Sequence, residues 1–276
     1  MTKHEFRYAS HPVDARAYGT EELREHFLID PLFTDDVISL TYSMYDRYIV
    51  GGATPRNKDL KLETIPYLKS ENFLDRRELG IVNVGGDGVV VVDGTEYKLS
   101  KKEALYVGQG AKEVIFKGGG TPLFYLNSAP AHHAYPTMKV GKENAEVVDL
   151  GDATYANKRT IYKLIVNSIV KTCQLQMGIT ELKHGNVWNT MPAHTHERRM
   201  EAYFYFDLEE GQSVCHFMGQ PQHTRHIFMQ NNQAVLSPEW SIHSGAGTTN
   251  YSFIWGMAGE NLDYGDMDTC GPVDLK

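Results

Sequence analysis

The chain has 276 residues, enough for one large domain or for two domains of ordinary size with substantial cores. Its hydrophobic fraction of 41% and charged fraction of 22% are typical of soluble globular proteins. The net charge of −8, with no basic run longer than two residues, argues against nucleic acid as a partner. No segment approaches the roughly 18 apolar residues of a membrane-spanning helix, so we expect no contact with a membrane.

The N-terminal residues and the cysteines bear on the cellular compartment. Residues 1–7 contain no apolar stretch behind a basic start, and we therefore expect no secretory signal. The three cysteines are odd in number and far apart in the sequence, which indicates free thiols in a reducing compartment. These features together predict a cytoplasmic protein.

The first 30 residues are predicted to be partly helical, with Asp14 or Thr20 as the residue that could cap a short helix, and strand patterns follow. Alternating apolar residues predict a strand over residues 36–50, which Gly51-Gly52 is expected to end. Between residues 73 and 127, short β-branched or apolar runs are separated by glycine-rich turns, and the triple glycine at 118–120 is predicted to form a hairpin. Short strands without intervening helices are typical of an antiparallel sandwich or barrel.

A second β-rich block begins near residue 160, and its layout is similar to that of the first. Residues 197–204 can be set against residues 75–82 at an offset of 122 positions, and a shorter match joins residues 234–236 to residues 104–107. The sequence therefore predicts two similar halves, 1–150 and 151–276, joined by a proline-rich connector.

The clearest chemical signal is a pair of histidines close to a glutamate. His194 and His196 are separated by one residue, so in an extended chain their side chains lie on one face. Glu201 follows on the next strand, and His243 stands between a proline and a glycine, at the entry to a predicted strand over residues 251–255. Seven of the 12 histidines fall between residues 184 and 243, about a fifth of the chain. Imidazole and carboxylate groups in this pattern predict a divalent metal site formed by these four residues.

The first block lacks such a set of ligands. At the offset of 122 positions, Asn72, Leu74 and Leu79 stand where the second block has its two histidines and its glutamate. We therefore predict a structural N-terminal half without a metal site and a catalytic C-terminal half.

The His-x-His pair, the glutamate after a short spacer and the later proline–histidine segment together resemble the two-part motif of the cupin superfamily. Trp240 departs from that motif, because cupins usually carry glycine there. More narrowly, the chain resembles the bacterial 5-keto-4-deoxyuronate isomerase family (4-deoxy-L-threo-5-hexosulose-uronate ketol-isomerase). The blocks that carry this resemblance span nearly the whole chain and are residues 48–52, 73–80, 104–108, 188–192, 194–206, 219–222, 224–226, 240–245 and 253–256.

The resemblance implies a mainly β fold with two cupin-like (jelly-roll) β-barrels in tandem and short helices. It implies one zinc ion per subunit, held in the C-terminal barrel by the positions that match His194, His196, Glu201 and His243, although such ligands would equally accept iron, manganese or nickel. It also implies a homohexamer that converts 5-dehydro-4-deoxy-D-glucuronate to 3-deoxy-D-glycero-2,5-hexodiulosonate. The substrate would come from the breakdown of pectin or of glycosaminoglycans.

Such an isomerisation moves a carbonyl group to the adjacent carbon through an enediolate, and a divalent cation would stabilise the charge that develops on oxygen. A proton carrier with a pKa near neutrality is also needed. The candidates are His226, His223, Glu197 and a water molecule, and the sequence does not rank them.

Substrate-binding candidates are residues close to the predicted ligands in sequence. Arg199 or Arg225 could bind the substrate carboxylate, because one guanidinium group can donate two parallel hydrogen bonds to it. A structural role is the alternative for Arg199, because the first block keeps Arg76-Arg77 at the matching place without a metal. The aromatic candidates are Tyr203 and Tyr205, which could bind hydroxyl groups or simply fill the barrel, and Trp188 and Trp240, which could stack on a sugar or simply pack.

Three other functions fit the same motifs. One is a 5-deoxyglucuronate isomerase, from a related family, and another is a different metal-dependent cupin enzyme such as a dioxygenase. The third is a sugar-binding bicupin in which the metal has a structural role only. Turnover without oxygen would exclude the dioxygenase, and a fold that survives chelation would argue against the purely structural metal.

Overall fold

The structure is a computed structural model that describes residues 2–260 and 262–276. Strands make up most of its regular structure, and the helices are short. The helical elements are α1 (Pro12–Ala15), α2 (Thr20–Phe27) and single 3-10 turns at Pro66–Leu68 and Ala153–Tyr155. No helix in this part of the chain is long and apolar enough to cross a membrane.

Short strands follow one another along the chain. The first twelve are β1 (Thr2–Arg7), β2 (Leu28–Ile29), β3 (Ile38–Ser43), β4 (Ile49–Ala53), β5 (Leu60–Lys61), β6 (Arg77–Asn83), β7 (Gly88–Val92), β8 (Thr95–Leu99), β9 (Ala104–Val107), β10 (Val114–Phe116), β11 (Phe124–Pro130) and β12 (Met138–Val140). The next twelve are β13 (Glu146–Leu150), β14 (Arg159–Ile165), β15 (Gln176–Leu182), β16 (Trp188–Asn189), β17 (Ala193–Thr195), β18 (Arg199–Phe206), β19 (Val214–Gln220), β20 (His223–Met229), β21 (Gln233–Ser237), β22 (Ser244–Gly247), β23 (Ser252–Gly259) and β24 (Asp268–Cys270).

Most of the strands form two pairs of sheets that repeat one pattern, and β17 and β24 form a separate two-stranded sheet. In the first pair, a seven-stranded sheet has the order β1-β3-β4-β11-β6-β9-β12 and a four-stranded sheet has the order β5-β10-β7-β8. In the second pair the orders are β13-β14-β15-β23-β18-β21-β2 and β16-β22-β19-β20. Position by position, β3 corresponds to β14, β6 to β18 and β11 to β23. The structure is therefore mainly β, as the sequence predicts.

By compactness the described chain divides into two units. The first contains residues 2–7, 31–146 and 163–177, and the second contains residues 8–30, 147–162, 178–260 and 262–276. The N-terminal helices therefore belong to the second unit, where β2 pairs with β21 at the edge of the seven-stranded sheet. The boundary predicted at residue 150 stays a prediction.

The core of the first unit lies between its two sheets. Leu40, Leu79 and Leu126 come from the seven-stranded sheet, and Val90 and Phe116 come from the four-stranded sheet, to form one buried cluster. Because side chains alternate faces along a strand, every second residue of these strands can reach this layer. Each such buried side chain stabilises the fold by about 1.5–3 kcal/mol.

Core residues occupy the positions in the first unit that match the predicted metal ligands. Leu74 and Leu79, at the places of His196 and Glu201, are buried in the same apolar cluster. Asn72, at the place of His194, instead forms hydrogen bonds with Asp75 in the same turn, at 2.9 and 3.1 Å. These three positions therefore serve packing and turn formation in the first unit.

Two glycines that were expected to end a strand lie inside one. The single strand predicted over residues 36–50 is in fact two antiparallel strands, β3 and β4, and β4 contains Gly51 and Gly52. A Cβ atom at Gly51 would lie 2.6 Å from Leu40 Cδ2 and 2.7 Å from the Ser39 carbonyl oxygen. Glycine is needed here because the neighbouring strand lies so close, a constraint that local turn preference does not reveal.

Three other local predictions differ from the structure. Residues 2–7 form β1, which pairs in parallel with β3, ahead of the helices expected in that segment. The residue that caps α2 is Gly19 rather than Thr20, and the Glu22 carboxylate accepts the Gly19 N–H at 2.7 Å. The triple glycine at 118–120 connects β10 in the four-stranded sheet to β11 in the seven-stranded sheet, so it is not a hairpin.

One buried carboxylate binds the backbone of residues 173–175 within the first unit. Glu78 is fully buried and accepts the backbone N–H groups of Cys173, Gln174 and Leu175, each at 2.8 Å. The Tyr106 hydroxyl donates to the same carboxylate at 2.8 Å. Four donors around one buried anion make this group costly to replace.

We expect Glu78→Gln to lower the free energy of unfolding by about 3 kcal/mol, because the amide replaces one acceptor oxygen with a donor and leaves buried N–H groups unpaired. Urea denaturation followed by circular dichroism measures the change. The control is Glu113→Gln, which removes an exposed ion pair with Lys61 at 2.8 Å and should cost less than about 1 kcal/mol. Equal losses in the two variants would contradict the anchoring role of Glu78.

Candidate metal centre

Three of the four predicted ligands come from a short stretch of sequence. His194 lies in β17, which pairs with β24, and His196 follows directly after the end of β17. A two-residue turn leads into β18, whose third residue is Glu201. β18 is buried along its whole length because it lies between β21 and β23 in the seven-stranded sheet. The turn brings the glutamate back beside the two histidines.

His243 reaches the same place from the four-stranded sheet of the second half. It directly precedes β22, one strand earlier than the predicted strand over residues 251–255. Its Nδ1 lies 3.4 Å from the Ser241 carbonyl oxygen, and Nε2 is on the side of the other ligands. A hydrogen-bonding partner of this kind fixes the orientation of a ligating imidazole.

The four side chains converge on one point. One nitrogen or oxygen atom from each lies within 4.8 Å of the others. His243 Nε2 is 3.0 Å from His194 Nε2 and 2.9 Å from Glu201 Oε2, and His196 Nδ1 is 3.6 Å from the same carboxylate oxygen. Ligand atoms that share one divalent ion, each about 2 Å from it, are spaced similarly.

Burial keeps two of the imidazoles uncharged. It lowers the pKa of His194 to about 2, with His243 and Arg199 as smaller causes. Burial also lowers the pKa of His196, and the neighbouring His243 and His194 lower it further. The neutral imidazole is the form that donates a lone pair to a metal.

The buried carboxylate fits a cation. Glu201 is 4% exposed, and its Oε2 accepts no hydrogen bond of good geometry in the part of the chain that the structure describes. The basic side chains within ion-pair distance of it are His196 and His243. Burying an ionised carboxylate without a compensating charge costs several kcal/mol. A divalent ion held by the three imidazoles and this carboxylate would remove that cost.

Three of these residues, His194, His196 and Glu201, line a cavity of about 300 Å³ in the second unit. This volume is at the lower end of the range for small-molecule sites. The remaining lining is largely apolar and aromatic, and Trp255 is its largest side chain. Among the described residues, the lining carries one arginine, Arg159, and no lysine.

Tyr203 lines this cavity beside the ligands and is in phase with Glu201 on β18, as expected. Its hydroxyl oxygen lies 2.9 Å from Thr190 Oγ1, and its ring centroid lies 5.3 Å from that of His243. Burial raises the pKa of Tyr203 well above its ordinary value, and the charge of Glu201 raises it further. The hydroxyl therefore keeps its proton and can act as a hydrogen-bond donor.

The other aromatic candidates lie outside the cavity. Tyr205 Oη is 2.8 Å from His216 Nδ1, and both side chains are buried. Trp188 stacks on Phe217 with ring centroids 5.7 Å apart, and Trp240 packs its edge against an aromatic residue of α2. The structure therefore shows packing contacts for these three residues.

Backbone carbonyl groups engage both arginines that were predicted to bind a carboxylate. Arg199 is buried and donates to three carbonyl oxygens of residues 263–266, at 2.6, 3.0 and 3.1 Å. Arg225 donates to the carbonyl oxygen of Tyr18. Neither residue lines the cavity that contains the ligands.

The structure does not bring the three predicted proton carriers to the cavity. His223 and His226 are exposed on β20 in the four-stranded sheet, and Glu197 is exposed in the turn before β18. His226 lines a separate cleft of about 220 Å³, formed by residues of α2 and β20.

Sequence reasoning missed several lining residues, among them Arg159, Trp255 and Tyr264. Arg159 begins β14, which is separated from β18 in the sheet by β15 and β23, so no spacing in the sequence connects it to the ligands. One signal was available. At the offset of 122 positions, Arg159 stands at the place of the apolar Val37, so an arginine at this position departs from the repeat.

Comparisons with known proteins agree with this architecture. Residues 41–269 match the sequence model of the KduI/IolB family. A 4-deoxy-L-threo-5-hexosulose-uronate ketol-isomerase from Formosa agariphila is 61% identical over 278 residues, which cover 100% of this chain and 99% of that protein. A protein of the same name from Bacillus subtilis is 52% identical over 274 residues, which cover 99% of this chain and 100% of that protein.

A solved structure supports the fold. An IolB-like protein from Salmonella typhimurium aligns with a TM-score of 0.66 over 81% of this chain and 86% of that chain, at 14% sequence identity. This likeness confirms the mainly β, jelly-roll type of fold that the sequence predicts. Because the family model matches residues 41–269 and the two relatives match over their whole length, the chain belongs to the KduI/IolB family.

Proposed function

We propose that this chain is a metal-dependent ketol-isomerase that acts on 4-deoxy-L-threo-5-hexosulose uronate. The observation that carries the proposal is the identity of 61%, over the full length, to a protein that bears this name. The reaction converts 5-dehydro-4-deoxy-D-glucuronate to 3-deoxy-D-glycero-2,5-hexodiulosonate. A carbonyl group moves from the terminal carbon to its neighbour. The hydrogen on that neighbouring carbon moves to the terminal carbon, and its hydroxyl proton moves to the terminal oxygen, so that no oxidant or reductant is consumed.

The residues that would hold the metal are His194, His196, Glu201 and His243. We propose zinc, one ion per subunit, because three imidazoles and a carboxylate suit it and the reaction transfers no electron. Iron, manganese and nickel are bound by the same types of ligand, so the donor set alone does not select among them. When bound, the divalent cation supplies a Lewis acid that stabilises negative charge on a substrate oxygen.

The other lining residues bind the substrate and shield it. Tyr203 Oη holds a proton that can be donated in a hydrogen bond to a substrate oxygen, and Thr190 fixes its position. Apolar side chains of the wall, such as Phe253 and Met257, keep bulk water from the reacting carbons. Because His223, His226 and Glu197 lie outside this cavity, we do not assign the proton transfer to them.

The alternative functions are less well supported. The family model is described only as KduI/IolB, whereas the full-length relatives carry the name of the uronate ketol-isomerase. The dioxygenase alternative rests on the cupin fold alone. A role in pectin or glycosaminoglycan breakdown and a homohexamer belong to the same proposal and come from the family resemblance. A cytoplasmic location also belongs to it and comes from the N-terminal residues and the cysteines.

We expect His196→Ala to remove the bound metal and to lower kcat/KM for the uronate by at least about 100-fold, because one of four ligands is lost. Metal analysis of the purified variant and an assay of ketone formation measure the two effects. His184→Ala is the matched control, since His184 is exposed and lies outside the cavity. Unchanged turnover with the metal retained in His196→Ala would refute the assignment.

Chelation tests what the metal does. We expect a chelator to abolish isomerase activity while the far-ultraviolet circular dichroism spectrum keeps its β character, because strands around the site carry buried apolar side chains such as Ile179, Phe204 and Ile254. Adding back a divalent cation under nitrogen should restore turnover. Loss of the β spectrum on chelation would favour the purely structural metal, and a requirement for oxygen would favour a dioxygenase.

A further inference from the structure

Arg159 is a cationic residue of the cavity to which no role has been assigned so far. It is the first residue of β14 and is partly buried. Among the described residues, it is the one arginine or lysine of a lining that also contains His194, His196 and Glu201. Its position therefore places a positive charge in the same space as the candidate metal ligands.

The guanidinium group of Arg159 has unused hydrogen-bonding capacity. Its Nη1 donates to the Asn157 carbonyl oxygen at 2.9 Å, while Nε and Nη2 have no partner in the part of the chain that the structure describes. Burial lowers the pKa of Arg159, and the neighbours that raise it are the tyrosines 203, 264 and 251 rather than carboxylates. An arginine side chain stays charged even so.

Two buried arginines, Arg199 and Arg77, differ in this respect. Arg199 donates to three backbone carbonyl oxygens, and Arg77 in the first half is engaged in the same manner by Ser128 and the Arg47 carbonyl oxygen. Those contacts engage two nitrogen atoms of each guanidinium. The single backbone contact of Arg159 instead fixes the Nη1 end of its guanidinium group. The remaining donors, Nε and Nη2, lie in one plane and can form two parallel hydrogen bonds with a carboxylate.

We propose that Arg159 binds the carboxylate of the substrate and thereby selects uronates over uncharged sugars. This inference rests on the proposed function for the identity of the substrate. In that substrate the carboxylate and the reacting carbonyl are at opposite ends of a six-carbon chain. Holding the carboxylate at Arg159 directs the other end of the chain to the rest of the cavity, where the four candidate ligands lie.

The test compares Arg159→Gln with wild type in the metal-loaded protein. We expect Arg159→Gln to raise KM for the uronate by about 10-fold to 100-fold, the range for a charge-assisted pair, with a smaller change in kcat and the same metal content. Arg159→Lys keeps the charge without the planar pair of donors and should recover part of the loss. Arg16→Gln is the control, because Arg16 is an exposed arginine that bonds Gln220 outside the cavity.

A binding measurement separates this inference from the proposed function. Calorimetry with D-glucuronate and with D-glucose needs no turnover, and we expect wild type to bind the uronate more tightly and Arg159→Gln to lose that preference. Equal binding of the uronate by wild type and Arg159→Gln, or no preference in wild type, would overturn the role of Arg159. A wild-type protein that prefers the uronate but does not isomerise the ketone would overturn the proposed function and leave the role of Arg159 supported.

Discussion

The candidate site depends on one buried negative charge. Glu201 lies on β18, which is enclosed by strands on both sides, and its nearest basic neighbours are histidines. The same burial keeps His194 and His196 uncharged, which is the form that can bind a metal. Uncharged imidazoles do not, however, compensate the negative charge of Glu201. A cation at this point would satisfy both conditions at once, because it accepts the lone pairs and neutralises the charge. The pairing of β18 with β21 and β23 therefore buries the carboxylate on which the candidate site of the second half depends.

The first half has the same order of strands but no carboxylate at the place of Glu201. Its strand β6 corresponds to β18, and Leu79 takes the place of Glu201 in an apolar cluster. Arg77 and Arg199 occupy matching positions, and each donates to carbonyl oxygens of other segments. The arginine therefore belongs to the architecture that both halves share. The half that carries the candidate ligands differs from the other in a few buried side chains, and not in the order of the strands.

The sequence predicted those parts of the molecule that depend on neighbours along the chain. The alternating pattern indicated the strands, and the spacing of His194, His196 and Glu201 indicated that they meet, because one turn joins β17 to β18. Long-range contacts decided the rest. Gly51 was predicted as a turn residue, yet glycine is needed there because Leu40 lies so close. Arg159 lies at the cavity because of the order of strands in the sheet, which the sequence does not reveal. His223 and His226 were close to the ligands in sequence but lie on exposed positions of β20.

The charges of the cavity explain how a protein of net charge −8 could accept an anionic substrate. At long range the overall charge repels a uronate, and only a local field inside the cavity can reverse that effect. In the described lining, the charged groups are Arg159 and Glu201, which cancel when no metal is bound. A divalent ion bound by the four ligands would give the lining a net charge of about +2. On this argument the metal contributes to substrate affinity as well as to the chemistry, and Arg159 determines which end of the substrate is held away from the ion.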